Sequence, residues 1–152
     1  MTKIIISDTS CLIALSNTGN LNLLKELYQE IAITQEVQKE FGEPLPNWIN
    51  VQNVKNKELQ AKIEKLLDKG EASSIALTIE NQDSILIIDD MKGRKVAKSY
   101  KIELIGTIGV IMTAHKKGII ADGINVLSEL ISAGFRVSDD LLDELKKKYG
   151  KL

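Results

Sequence analysis

Near its start the chain sets the apolar run Ile4-Ile5-Ile6 against Ser7-Asp8-Thr9-Ser10, and a second apolar run begins at Cys11. The first run predicts a strand over Lys3–Ser7. The second predicts a helix over about Thr9–Ser16, stopped by Asn17-Thr18-Gly19-Asn20. Leu23, Leu24 and Leu27 keep helical spacing across Leu21–Tyr28. Ile31-Ala32-Ile33 reads as a short strand, after which Thr34 caps a helix that runs to Phe41 and is closed by Gly42. The loop "EPLPNW" holds both prolines, and "INVQNV" reads as an edge strand. Lys57–Lys69 predicts a charged amphipathic helix with Leu59, Ile63, Leu66 and Leu67 inward. After Gly70, Ala72, Ile75, Ala76 and Ile79 form a tight apolar stripe.

Four consecutive apolar residues follow Ser84, the pattern of a strand buried on both faces, and the run ends on Asp89-Asp90. A basic helix over about Met91–Tyr100, a strand at Ile102–Ile105, and helices near Thr107–Lys117, Ile124–Ala133 and Asp139–Tyr149 complete the pattern. Strands separated by helices need crossover connections, so the sheet is expected to be mostly parallel and covered on both faces. That is an α/β fold, a three-layer α/β/α sandwich. In such sheets ligands bind beyond the carboxyl ends of the strands, and Asp8 and Asp89-Asp90 both follow strands directly.

Composition changes the picture little. With 152 residues, 43% of them hydrophobic, and no repeat or linker, one domain over 1–152 is expected. Cys11 is the single cysteine, so no internal disulfide can form and a reducing cytoplasm is the expected setting. The apolar start is too short to span a bilayer. A net charge of −1 does not advertise a nucleic-acid partner, so local charge has to be read instead.

The local chemistry is acidic. Asp8, Glu40, Glu71, Asp89 and Asp90 are candidates for one rim, with Glu36 a rival to Glu40 one turn earlier. Two like charges about 4 Å apart repel by roughly 4 kcal/mol at an effective dielectric of about 20. Such a cluster either takes up a proton or holds a cation, and an all-oxygen set favours Mg²⁺ or Mn²⁺. With one His and one Cys, a zinc site or an acyl-transfer triad is poorly supported. A carboxylate-held metal is the equipment for phosphodiester hydrolysis. Asp8, Glu71 and the Asp89-Asp90 pair would hold it, with either Asp89 or Asp90 facing the metal. Glu40 would act through water, and Thr9 and Ser10 would position a phosphate or a metal-bound water. The bland reading of each acid is a helix cap or a dipole partner, worth about 0.3–1 kcal/mol in the first turn.

Taken together, "IIISDTSCLIAL", "IAITQEVQKEF", "GEASSIAL" and "LIIDDMKGRKVA" resemble the PIN-domain nucleases over nearly the whole chain. With "IGTIGVI" added, they look like a prokaryotic PIN-like branch related to VapC-type toxins. The resemblance implies a PIN-like sandwich and a Mg²⁺- or Mn²⁺-dependent ribonuclease with Asp8, Glu40, Glu71 and Asp90 as catalytic residues. It further implies an RNA substrate, a homodimer, and an antitoxin partner of a toxin–antitoxin pair. Two positions depart from the pattern: Glu71 stands where many members have Asp, and Ile88 where many have Thr. They keep open a catalytically weak PIN-fold module that binds RNA or regulates.

Lys92, Arg94 and Lys95 follow the acidic pair and are candidates to contact substrate phosphates, whereas Lys98 and Lys101 read as a solvated face. Lys146–Lys148 suit a helix C-terminus, His115 reads as a surface residue and Cys11 as core. Aromatic content of 4% offers no stacking platform for bases. A receiver domain or an aspartate-nucleophile phosphatase is disfavoured. The acidic pair comes late for the first, and Ser10 stands where the second requires Asp.

Overall fold

Successive side chains on a strand face opposite sides, so an unbroken apolar run demands cover on both faces of the sheet. The computed structural model describes residues 3–150. In it β1 (Ile4–Ser7), β2 (Ile31–Thr34), β3 (Ile49–Gln52), β4 (Ser84–Ile87) and β5 (Leu104–Ile105) form one sheet. The strand order is β3-β2-β1-β4-β5 and every pairing is parallel. The connecting helices are α1 (Thr9–Asn17), α2 (Asn22–Tyr28), α3 (Gln35–Phe41), α4 (Lys57–Glu64), α5 (Lys69–Glu80) and α6 (Met91–Ser99). After β5 come α7 (Thr107–Lys116), α8 (Gly123–Ser132) and α9 (Asp139–Tyr149).

The isoleucines divide the cover between them. Ile5, Ile31, Ile33 and Ile87 pack with Leu12, Leu24, Val37, Val110 and Leu127 in one core. Ile6, Ala32, Leu86 and Ile88 pack with Ile63, Ile75, Ala76 and Ala97 in the other. The three-layer sandwich expected from the sequence is therefore present, its sheet wholly rather than mostly parallel.

Strand order decides where a ligand can bind. From β1 the chain steps outward to β2 and β3, then returns past them to β4 on the other side. The order reverses between β1 and β4, which run in register up to Ser7 opposite Ile87. At such a switch point the two outgoing loops part and leave a crevice beyond the strand ends. Asp8 and Asp89-Asp90 leave the sheet on either side of it.

Local expectations change for the Lys57–Lys69 helix and for His115. The helix predicted over Lys57–Lys69 ends at Glu64, and a new one starts at Lys69. The cause is Asp68, whose extended backbone and side chain, accepting from the Glu71 N–H at 2.8 Å, make it the N-cap of α5. Leu66, expected inward, is consequently 54% exposed, while Leu67 is buried. Trp48 belongs to the core although it lies in the proline loop. His115 is half-buried and accepts from the Gly123 N–H through Nδ1 at 2.9 Å, tying α7 to α8.

Leu66 and Leu67 therefore separate by experiment. Leu67→Ala should cost about 2 kcal/mol or more, as large-to-small core changes do. Leu66→Ala should stay within about 0.5 kcal/mol. Urea unfolding of the two variants checks this, and equal costs would contradict the break after Glu64.

Candidate functional site

Asp8 caps α1 at the tip of β1 and is only 2% exposed. Its backbone N–H continues the ladder onto the Ile87 carbonyl at 3.0 Å, which fixes β1 and β4 up to the rim. Its Oδ1 accepts a long bond from the Cys11 N–H at 3.4 Å, and its carboxylate also accepts from the Asp89 N–H. Burial, with the charges of Asp89 and Glu71 added, outweighs these donors and lifts its pKa to about 8.

Glu71 lies half-buried in the first turn of α5. Burial, then the charges of Asp68 and Asp90, raise it to about 7, and its carboxyl is within hydrogen-bonding reach of that of Asp90. Asp90 in turn caps α6 through the Gly93 N–H at 2.9 Å. Gly93 lets this turn come close. A Cβ there would stand 2.7 Å from Ile88 Cδ1 and 3.5 Å from Glu71 Oε2.

Asp89 is engaged differently. Its Oδ1 accepts from the Thr107 N–H at 2.8 Å and its Oδ2 from the Thr107 hydroxyl at 2.5 Å. It thereby holds the start of α7, whose N-cap Gly106 has no side chain to do so. Arg94 turns inward and donates from Nη1 to the Ile88 carbonyl at 2.7 Å. A Cβ on Gly106 would come within 3.0 Å of Asp89 Oδ1 and 3.2 Å of Arg94 Nη1, so the glycine makes room for both.

Glu40 and Glu36 part company. Glu40 accepts from the Thr9 hydroxyl at 2.5 Å and from the Gly70 N–H at 3.2 Å, joining α3 to α1 and to the start of α5. A Cβ on Gly70 would collide with the Glu40 carboxylate. Glu36 instead accepts from Gln60 Nε2 at 2.5 Å, on the side of α4. Ser10 lines a shallow groove with Ile13, Ala14, Leu130 and Phe135, on the α8 side of α1. Lys92 and Lys95 are exposed on α6.

Sequence reading brought the acids into view but missed the residues that hold them: Asp68, Gly70, Gly106 and Thr107. All but Gly70 carried a signal. Asp68 and Glu71 have the spacing of a capping box, and Gly106-Thr107 stands between a strand and an apolar helix.

The carboxyls of Asp8 and Glu71, raised to about 8 and about 7, offer oxygen ligands, which suits a hard divalent ion. As the side chains stand, no three His, Cys, Asp or Glu among the described residues converge to ligate one ion. Asp8 Oδ1, Asp90 Oδ2 and both oxygens of Asp89 face N–H or hydroxyl donors. No helix among the described residues is long and apolar enough to cross a membrane. A family model described as a PIN domain matches residues 4–151. The comparison with curated proteins gives no match, and neither does that with solved structures.

A pH dependence follows. Asp8 and Glu71 titrate above the ordinary carboxyl range when folded. Between about pH 4 and pH 8 the folded chain therefore binds more protons than the unfolded one, and stability falls as pH rises. Metal-free protein should lose Tm from pH 5 to pH 8, Asp8→Asn should remove most of that loss, and excess Mn²⁺ should reduce it at pH 8. Thermal melts check all three, and a flat profile for the unsubstituted chain would contradict the burial of Asp8.

Proposed function

Because the chain belongs to the PIN-domain family, whose members are in general nucleases, we propose that it is a divalent-metal-dependent endoribonuclease, hydrolysing RNA phosphodiester bonds. One observation carries the reading: Asp8 and Asp89-Asp90 stand at the parted ends of β1 and β4, with Glu71 against Asp90. Asp8, Glu71 and Asp90 are the residues that would hold Mg²⁺ or Mn²⁺. Such an ion, when bound, supplies Lewis acidity at the phosphodiester and charge stabilisation for the leaving oxygen.

The chain's own residues prepare the site. Asp8 is dry and poorly compensated, so its charged form has most to gain from a cation. Glu71 reaches the same rim from α5. Asp89, with both oxygens already accepting from Thr107, orients the β4 exit loop, and Arg94 steadies the Ile88 carbonyl behind it. Glu40 fixes Thr9 and the first turn of α5, so that Asp8 and Glu71 keep their separation. The toxin role, the antitoxin, the homodimer and the cytoplasmic location rest on the resemblance and on Cys11.

A second reading is a PIN-fold module that binds RNA with weak cleavage, and the lack of three converging His, Cys, Asp or Glu side chains among the described residues favours it. Cleavage of generic single-stranded RNA in Mn²⁺ or Mg²⁺ discriminates. The nuclease reading expects turnover that EDTA abolishes and that Asp8→Asn lowers at least about a hundredfold, the scale of losing one electrostatic stabiliser. Equal cleavage by Asp8→Asn removes this site from the reaction. RNA binding without cleavage by the unsubstituted chain selects the second reading.

A further inference from the structure

The acidic rim is followed at once by a run without a single acid. From Met91 to Ile102 the chain carries Lys92, Arg94, Lys95, Lys98 and Lys101 and no Asp or Glu, in a molecule of net charge −1. On α6 these cations separate. Arg94 turns in to the Ile88 carbonyl. Gly93 and Ala97 are buried, while Met91, Lys92, Lys95 and Lys98 form the exposed face. Lys92, Lys95 and Lys98 repeat every third residue and so stand as neighbours.

Among the described residues no carboxylate pairs with that face, and the ion pair within reach is Lys3 with Glu103. The lysines repel one another, and Lys92 and Lys95 lie in the half of the helix where the dipole favours anions over cations. A merely solvated helix face gains nothing from this order. A polyanion lying along the face would remove both penalties. Met91, 79% exposed, adds a large apolar side chain at the end nearest the rim.

We propose that this face of α6 is the track along which an RNA strand runs away from the acidic rim, its phosphates on Lys92, Lys95 and Lys98 and a base against Met91. Six residues of helix span about 9 Å. That length matches about three nucleotides at a stacked rise of about 3.4 Å each. Lysine ammoniums are point charges without the planar fork that reads bases, so the track is indifferent to sequence. The proposal rests on the ribonuclease reading for the direction of the strand, and its binding test needs no cleavage.

The test is fluorescence anisotropy in Mg²⁺ with full-length Asp8→Asn protein, comparing labelled single-stranded RNAs of about four and about twelve nucleotides. Binding should tighten with length, and the slope of log K against log salt should shrink by about 2 on adding Lys92→Ala, Lys95→Ala and Lys98→Ala, at about 0.7 per phosphate. Lys92→Arg, Lys95→Arg and Lys98→Arg together should restore the slope, which a folding defect would not. An unchanged slope in the alanine variant, or no RNA binding by the parent, overturns the track and leaves the face to an acidic protein partner or to solvent. RNA binding that depends on α6 in a chain whose unsubstituted form never cleaves would support the track while removing the nuclease reading. Cleavage with no dependence of binding on α6 would do the reverse.

Discussion

Crowding of carboxylates at the parted ends of β1 and β4 is the constraint around which the rest of this molecule is arranged. The apolar runs fix it. Ile5 and Ile6 must face opposite cores, Ile87 and Ile88 likewise, so the residues that follow each run emerge at the same level of the sheet. Four helices begin there: α1 behind Asp8, α5 behind Asp68, α6 behind Asp90, and α7 at Thr107 on Asp89. Each brings unsatisfied N–H groups and the positive end of its dipole to the acids. This compensation is partial, since Asp8 and Glu71 remain raised.

Capping and cation binding are therefore not rival explanations of these acids. An N-cap uses one carboxylate oxygen and leaves lone pairs on the other. Asp8 caps with Oδ1 and its carboxylate also accepts from the Asp89 N–H, while Asp90 caps with Oδ2 within reach of the Glu71 carboxyl. Asp89 has spent both oxygens on Thr107. The same local rule that makes Asp common after a strand thus builds a rim in which each aspartate also orients a neighbouring turn.

Much of this was legible in the residues, and the line between what was and was not is physical. Element type follows from local periodicity, so the strands, their helices, and the positions of Asp8 and Asp89-Asp90 could be read directly. Strand order could not, because it depends on which apolar faces find each other across the chain. The same holds for the bonds that sort the acids. Thr9 reaches Glu40 across 31 residues, Gly70 reaches Glu40 across 30, and Thr107 reaches Asp89 across 18. Glu36 and Glu40 sit one turn apart on α3 and look equivalent until Gln60 takes the first. The break at Asp68 was missed because hydrophobic spacing from Leu59 to Leu67 carries on past it, and one cap outweighed that periodicity.

The two departures from the family pattern are best understood through what surrounds them. Ile88 is fully buried and its Cδ1 lies under Gly93, where it seals the second core against the start of α6. The hydroxyl that the acid pair does receive is that of Thr107, which donates to Asp89. Glu71 has the same kind of account. Gly70 must approach the Glu40 carboxylate closely, which fixes the first turn of α5 against α3 rather than against α6. The extra methylene of Glu71 lengthens the arm that crosses from that turn to Asp90, so a side chain longer by one carbon serves a helix seated by its neighbour.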